Sequence, residues 1–316
     1  MLLSRLGGRL EGSEMGDSRS MSLLVGDNPF HNISHLSQAR SRDRGDEIGN
    51  AGFAAGLVVS SMENGADGFM FSVSETTLSI LKTIRDMNRS ESMKLYAIVP
   101  YAYEYVRLAT QVGGVSGLAR RMAKQVLFSM NFKAMAAGLK GVVRMDPVAL
   151  LKTYLYYEIS RIKSSAPRQA SLDSVMLHEI ITEMALALNM DWFLKAYVEF
   201  MVKLGIKPGF ETRNFAYLVQ KFREWKMDFS KVAIATPFNK IGFQMNPSKE
   251  ECEKALVEAG RSEVIAMSVL AAGYLRPREA MDYILNLQNL KGVVVGVSRE
   301  SQARETFKLL EGSLKT

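Results

Sequence analysis

Cysteine is nearly absent: Cys252 is the single one in 316 residues. That excludes an intramolecular disulfide framework and any cysteine-rich zinc or iron–sulfur centre. It also fits a reducing compartment, so a cytoplasmic location is expected. Histidine is scarce too, with only His31, His35 and His178. No uninterrupted apolar run approaches the roughly 20 residues of a membrane-spanning helix. The first residues, MLLSRLGGRLEGSEMGDSRS, lack the apolar core of a signal peptide. A phosphate-binding P-loop, a GxSxG nucleophile elbow and zinc-finger spacing are all missing.

What is present is ordinary globular material, 47% hydrophobic and 23% charged, enough to bury a large core without staples. The net charge of +7 is not spread evenly. Between Tyr105 and Met145 stand Arg107, Arg120, Arg121, Lys124, Lys133, Lys140 and Arg144 with no acidic residue. That segment accounts for the whole excess, so any electrostatic footprint is local and nucleic acid is not the expected partner.

Short apolar runs alternate with amphipathic stretches along the chain. The runs are Ser22–Phe30, Asp67–Val73, Lys94–Pro100, Ser174–His178, Lys207–Glu211, Val232–Pro237, Val264–Val269 and Gly292–Val297. Helical patterns cover Asn50–Asn64, Glu75–Met87, Asp191–Leu204, Phe215–Trp225, Lys249–Gly260, Pro277–Gln288 and Arg299–Glu311. Runs of Val, Ile, Ala and Met that do not alternate with polar residues belong to parallel sheets covered on both faces. Eight such strands with intervening helices predict an α/β fold of the TIM (β/α)8 barrel type; the first strand is not followed by the GxGxxG that an open dinucleotide-binding sheet would carry.

Residues 1–21 read as a poorly ordered N-terminal arm, with Met21 as an alternative start, and 22–316 as a single barrel. Residues of about 101–170 form a helical insertion between strands three and four that carries the basic segment. An insertion at that end of a strand packs on the barrel, covers its mouth as a lid, or offers a partner or membrane surface.

Barrel enzymes draw their chemistry from the carboxyl ends of the strands. Those positions hold Asp27, Asn28, His31 and His35 after strand one, and His178 and Glu179 after strand four. They hold Glu211 and Arg213 after strand five, and Asn239 after strand six. All three histidines therefore fall at one face. His178, Glu179 and Glu211 are the expected acid/base groups; Asp27, Asn28, His31, His35, Arg213 and Asn239 are expected to bind substrate. His31, His35 and His178 also form a candidate divalent-metal set, which would add nitrogen ligands to a nearby carboxylate. Lys240 lies beyond strand six and reads as a solvated loop lysine, not a Schiff-base residue. After strands seven and eight, Ser268, Gly273, Arg276, Gly296, Ser298 and Arg299 combine close backbone approach, helix starts and positive charge. That combination suits a phosphate or a phosphorylated cofactor.

From about residue 172 to the C-terminus the chain resembles the aldo-keto reductases. LDSVMLHEI is similar to the family's fourth strand, which ends in its catalytic histidine, here His178. KPGFETRNFAYLVQKFREWKMDF and VAIATPFNKIG are similar in layout to strands five and six, with Asn214 near the family's nicotinamide contacts and Asn239 where the family often has an Asn after strand six. VIAMSVLAAGYLRPREA and GVVVGVSRESQARETF resemble the stretches that hold the NADP phosphates, which makes NADP the second cofactor candidate beside a metal. The family's catalytic Asp, Tyr and Lys have no counterparts: strand two runs FMFSVSETT, and strand three ends in Pro100 with Tyr101 next to it. The expected function is therefore acid/base lyase, isomerase or hydrolase chemistry on a small phosphorylated or anionic metabolite. An NADP-dependent reductase with a substitute donor, Tyr101 or His178, is the alternative, and a non-catalytic ligand- or partner-binding barrel is the third.

Overall fold

The computed structural model describes residues 21–31, 50–88, 92–101 and 146–314. Its strands are β1 (Ser22–Gly26), β2 (Gly68–Ser72), β3 (Met93–Val99), β4 (Ala170–Leu177), β5 (Lys207–Glu211), β6 (Ala233–Pro237), β7 (Glu263–Met267) and β8 (Leu290–Gly296). All are parallel, in sequence order, and β1 pairs with β8 to close the barrel. The helices are α1 (Ala51–Glu63), α2 (Glu75–Asp86), α3 (Pro147–Ser165), α4 (Glu179–Ala187), α5 (Asp191–Lys203), α6 (Phe215–Glu224), α7 (Lys249–Ala259), α8 (Pro277–Leu285) and α9 (Glu300–Leu314). Among the described residues no helix is long and apolar enough to cross a membrane.

Two apolar layers explain why the strands are continuous hydrophobic runs. One face of each strand packs beneath the helices in the main core, with Leu23, Val25, Phe69, Phe71, Phe210 and Ile234 buried there. The other face fills the barrel interior with Leu24, Met70, Tyr96, Ile98, Met176, Ala233, Ala235 and Ile265. Packing this dense leaves no room for a side chain on Gly209, where a Cβ would stand 2.3 Å from Met176 Cγ. The buried Tyr197 of α5 donates its hydroxyl to the carbonyls of Val175 and Gly209 and accepts the Gly209 amide, tying the helix to β4 and β5.

The amino ends of the strands are closed by a polar plug. Tyr96 donates to Glu263 Oε1 at 2.7 Å, and Lys207 bonds the other oxygen of the same carboxylate. Charge at this end serves stability, which leaves the opposite end for chemistry.

Three differences from the sequence-based expectations bear on that end. The first strand stops at Gly26 instead of reaching Phe30, because Asn28–His31 turn into a 3-10 helix closed by the Phe30 amide on the Asp27 carbonyl. The fourth strand begins at Ala170, four residues before the expected Ser174. A helix absent from the sequence reading, α4, directly follows that strand. Its apolar Ile180, Met184 and Leu188 lie exposed, so its pattern carried no signal of a buried stripe. Most of the predicted insertion, the basic segment included, lies outside the described residues, as do His35 and most of the N-terminal arm. Within that interval the described residues contain α3.

Candidate functional site

The carboxyl ends of β1, β4 and β5 bring together Asp27, His31, His178, Glu179, Glu211 and Arg213. Asp27 leaves β1 only 5% exposed. Its Oδ2 accepts the Ser72 backbone amide at 2.7 Å and His31 Nε2–H at 3.1 Å. The His31 ring stacks on Tyr101, with 4.8 Å between centroids. Asn28 stands exposed beside this dyad at the start of the turn.

His178 is the cap of α4: its Nδ1 accepts the Ile180 amide at 3.2 Å. A backbone amide only donates, so Nδ1 carries no proton and the neutral ring holds its hydrogen on Nε2. Nε2 faces Glu211 Oε2 at 3.9 Å, beyond hydrogen-bond distance. Glu211 Oε2 accepts the neighbouring Glu179 amide at 3.2 Å. The first turn of α4 thus holds both groups through successive amides. Arg213 reaches across from the β5 loop and donates Nε to Glu179 Oε2 at 2.5 Å, while its Nη1 is buried without a partner among the described residues.

The electrostatics follow from this burial. Loss of solvent pushes the Glu211 carboxyl up to about 7, with help from the negative charges of Glu179 and Asp27. The Glu179 amide and Arg213 oppose the shift. Burial also lowers the His178 imidazole, and Arg213 adds to this against Glu179 and Asp27. Near neutral pH the pair is a neutral imidazole donor beside a carboxyl that exchanges its proton readily. Opposed shifts on adjacent groups are the arrangement that acid/base chemistry requires.

Sequence reasoning missed Glu183. From the second turn of α4 its Oε1 accepts Thr212 Oγ1, the Arg213 amide and the Asn214 amide at 2.7, 3.0 and 3.2 Å. Its Oε2 accepts Asn214 Nδ2 at 2.8 Å. This carboxylate sets the path of the loop that carries Arg213 away from Glu211. Only recognition of α4 would have placed Glu183 opposite that loop.

Other expected residues stand apart. Asn239 is fully buried but spends its amide on its own loop, bonding the backbone N and O of Phe243 at 2.8 Å each. Lys240 pairs with Glu279 at 2.7 Å in solvent, as expected of a loop lysine. After β7, Ser268, Ala271, Ala272 and Gly273 all adopt positive φ, and Arg276 is exposed before α8. After β8, the amide and hydroxyl of Ser298 both donate to Gln302 Oε1 at 3.1 Å, so its hydroxyl is turned to that side chain and does not cap α9; Arg299 is exposed next to it. A Cβ on Gly296 would meet the Pro29 ring at 2.9 Å, so the close approach this glycine permits is taken by the first loop. Among the described residues, no group of three His, Cys, Asp or Glu is placed to hold a metal. His31 Nε2 and His178 Nδ1 are each committed to a hydrogen bond.

The architecture is that of a closed, eight-stranded parallel (β/α)8 barrel. Solved structures of the same fold include two from Pseudomonas aeruginosa described as a "putative aldo-keto reductase". One is 10% and the other 12% identical to this chain, each with a TM-score of 0.54 over 92% of this chain and 90% of the other. A further aldo-keto reductase, from a deep-sea metagenome, is 10% identical with a TM-score of 0.49 over 84% of this chain and 86% of its own. No protein-family model matches the sequence, and no curated protein is similar to it. At these identities the likeness is one of fold.

Proposed function

We propose that this barrel is an acid/base enzyme for a small anionic metabolite, with Glu211 and His178 as the groups that exchange and donate protons. The observation that carries this reading is the largely buried Glu211–His178 pair, 3.9 Å apart and unbonded to each other. Glu179 and Arg213 brace the pair. Asp27, Asn28 and His31 line the approach from β1. Asp27, Glu179 and Glu211 against one guanidinium make the centre of the mouth unfavourable to a phosphate. The anionic end of the substrate therefore belongs at the β7 and β8 loops, where Arg276 and Arg299 stand exposed and offer positive charge beside Ser268. The described histidines, His31 and His178, are not arranged as a metal-ligand set.

Turnover of phosphorylated metabolites by the wild type and by Glu211→Gln tests the reading. It stands if a compound is consumed and the variant loses at least 100-fold in kcat. Equal rates would remove Glu211 from catalysis. An NADP-dependent reductase draws support from one feature, the His178 Nε2–H donor at the strand position where the resembled family keeps its histidine. It lacks the Asp, Tyr and Lys that would complete proton donation.

A further inference from the structure

The tautomer of His178 narrows the reaction. Its Nδ1 is occupied by the Ile180 amide, which leaves Nε2–H as a fixed donor pointing across the mouth. Glu211 has one oxygen, Oε2, on the Glu179 amide, which leaves Oε1 as the oxygen assigned to the substrate. The 3.9 Å gap keeps donor and carboxylate from bonding each other. Two such groups address adjacent atoms of one substrate: the donor takes an oxygen, the carboxylate a hydrogen on the next carbon. A donor held neutral suits a carbonyl oxygen whose charge grows during reaction, since it stabilises that charge without first protonating it.

Resting on the acid/base reading above, we infer that this site isomerises an α-hydroxy aldehyde to the α-hydroxy ketone, its substrate class being short phosphorylated sugars. Glu211 Oε1 takes the proton from C2, and the C–H electron pair forms the C1–C2 double bond. The carbonyl pair moves onto O1, where His178 Nε2–H meets it. His178 gives that proton to O1 and takes the one from O2, so the ring ends as it began. Glu211 returns its proton to C1 as the C2–O2 double bond forms. No oxidant, reductant or co-reactant enters, and every proton is accounted for. Arg213 keeps Glu179 from competing for the Nε2 hydrogen by holding its carboxylate in an ion pair.

The test is proton NMR in D2O with glyceraldehyde 3-phosphate, erythrose 4-phosphate, ribose 5-phosphate and glucose 6-phosphate, each incubated with the full-length protein. Deuterium appearing at the α-carbon of at least one probe, together with its ketose isomer, is the expected result. Glu211→Gln should slow the exchange at least 100-fold. His178→Asn keeps an oxygen acceptor for the Ile180 amide, and so the helix cap, but lacks the Nε2–H; a similar loss is expected. Far-ultraviolet circular dichroism establishes that both variants are folded. A probe that binds, seen by saturation transfer, but shows no exchange with the wild type would overturn this inference and leave the acid/base reading standing. Exchange unchanged in Glu211→Gln would overturn it as well. If no probe binds, both fall.

Discussion

His178 Nε2 and Glu211 Oε2 face each other at 3.9 Å, and each residue is held from behind by a neighbouring amide of one helical turn, Ile180 for the imidazole and Glu179 for the carboxylate. The positive end of α4 therefore acts on both groups at once. It disfavours a second proton on the imidazole and partly offsets the burial that raises the carboxyl.

The shifted carboxyl makes stability depend on pH in a defined sense. Glu211 rises from 4.5 in the unfolded chain to about 7 in the native one. Its stabilising contribution is complete below pH 4.5 and is lost as pH rises through about 7, a swing of ~3 kcal/mol. Glu211→Gln removes the swing, so the variant should gain on the wild type between urea unfolding at pH 5 and at pH 8. A stability difference that does not change with pH would contradict the burial of a raised carboxyl. His178 acts in the opposite direction: its contribution is present above its ordinary value of 6.5 and is lost as pH falls below it.

Catalysis should follow the same group. Glu211 works as a base only when ionised, while His178 is already neutral above its lowered value. Hence kcat/KM should rise with a slope of one through about pH 7 and then level off. A bell-shaped profile centred below pH 6 would assign the base to another residue.

Glu183 accepts four hydrogen bonds from Thr212, Arg213 and Asn214. Glu183→Ala leaves those donors to solvent and frees the loop that carries Arg213; about 2–4 kcal/mol of stability should be lost. Glu183→Gln keeps an acceptor oxygen and should recover part of it. Denaturant midpoints for the three proteins give the comparison, and a loss below 0.5 kcal/mol in the alanine variant would mean that the loop is held by other contacts.

Gly296→Ala places a methyl 2.9 Å from the Pro29 ring. Overpacking of this kind costs about 1–3 kcal/mol. Because Pro29 lies between Asp27 and His31 in the first loop, a drop in activity should accompany the drop in stability. Thermal unfolding and turnover measured on the same preparation will show whether the two move together.

Arg276→Ala and Arg299→Ala should each weaken binding of a phosphorylated ligand about 3–10-fold, as expected for exposed charge–phosphate contacts. Calorimetry with glyceraldehyde 3-phosphate measures this, and fluorescence titration with NADPH belongs beside it. Saturable NADPH binding that weakens in the same two variants would move the assignment to the reductase alternative.

The barrel was legible in the chain because its cause is local and repeated. Strands such as GFMFS and AIATP are apolar on both faces apart from Ser72 and Thr236, which only a sheet covered on both faces tolerates, and helical patterns recur between them. Strand order then follows from short right-handed crossovers. The candidate acid/base residues were legible for the same reason: His178 and Glu211 stand at strand ends, and in a barrel strand ends converge. The α4 helix was not legible, since exposed Ile180, Met184 and Leu188 gave it no buried stripe, and with it went Glu183. The expected roles of Gly296 and Ser298 were read as facing a ligand, whereas Pro29 and Gln302 occupy those faces here.

Residue order and hydrophobic period alone determined that the chain closes into a parallel barrel and which strand ends share its mouth. Only the tertiary structure decided which nitrogen of His178 carries the proton, how far Glu211 is shifted, and that the two remain unbonded. Those properties depend on amides, charges and burial contributed by segments distant in sequence, and no local pattern encodes distances between them.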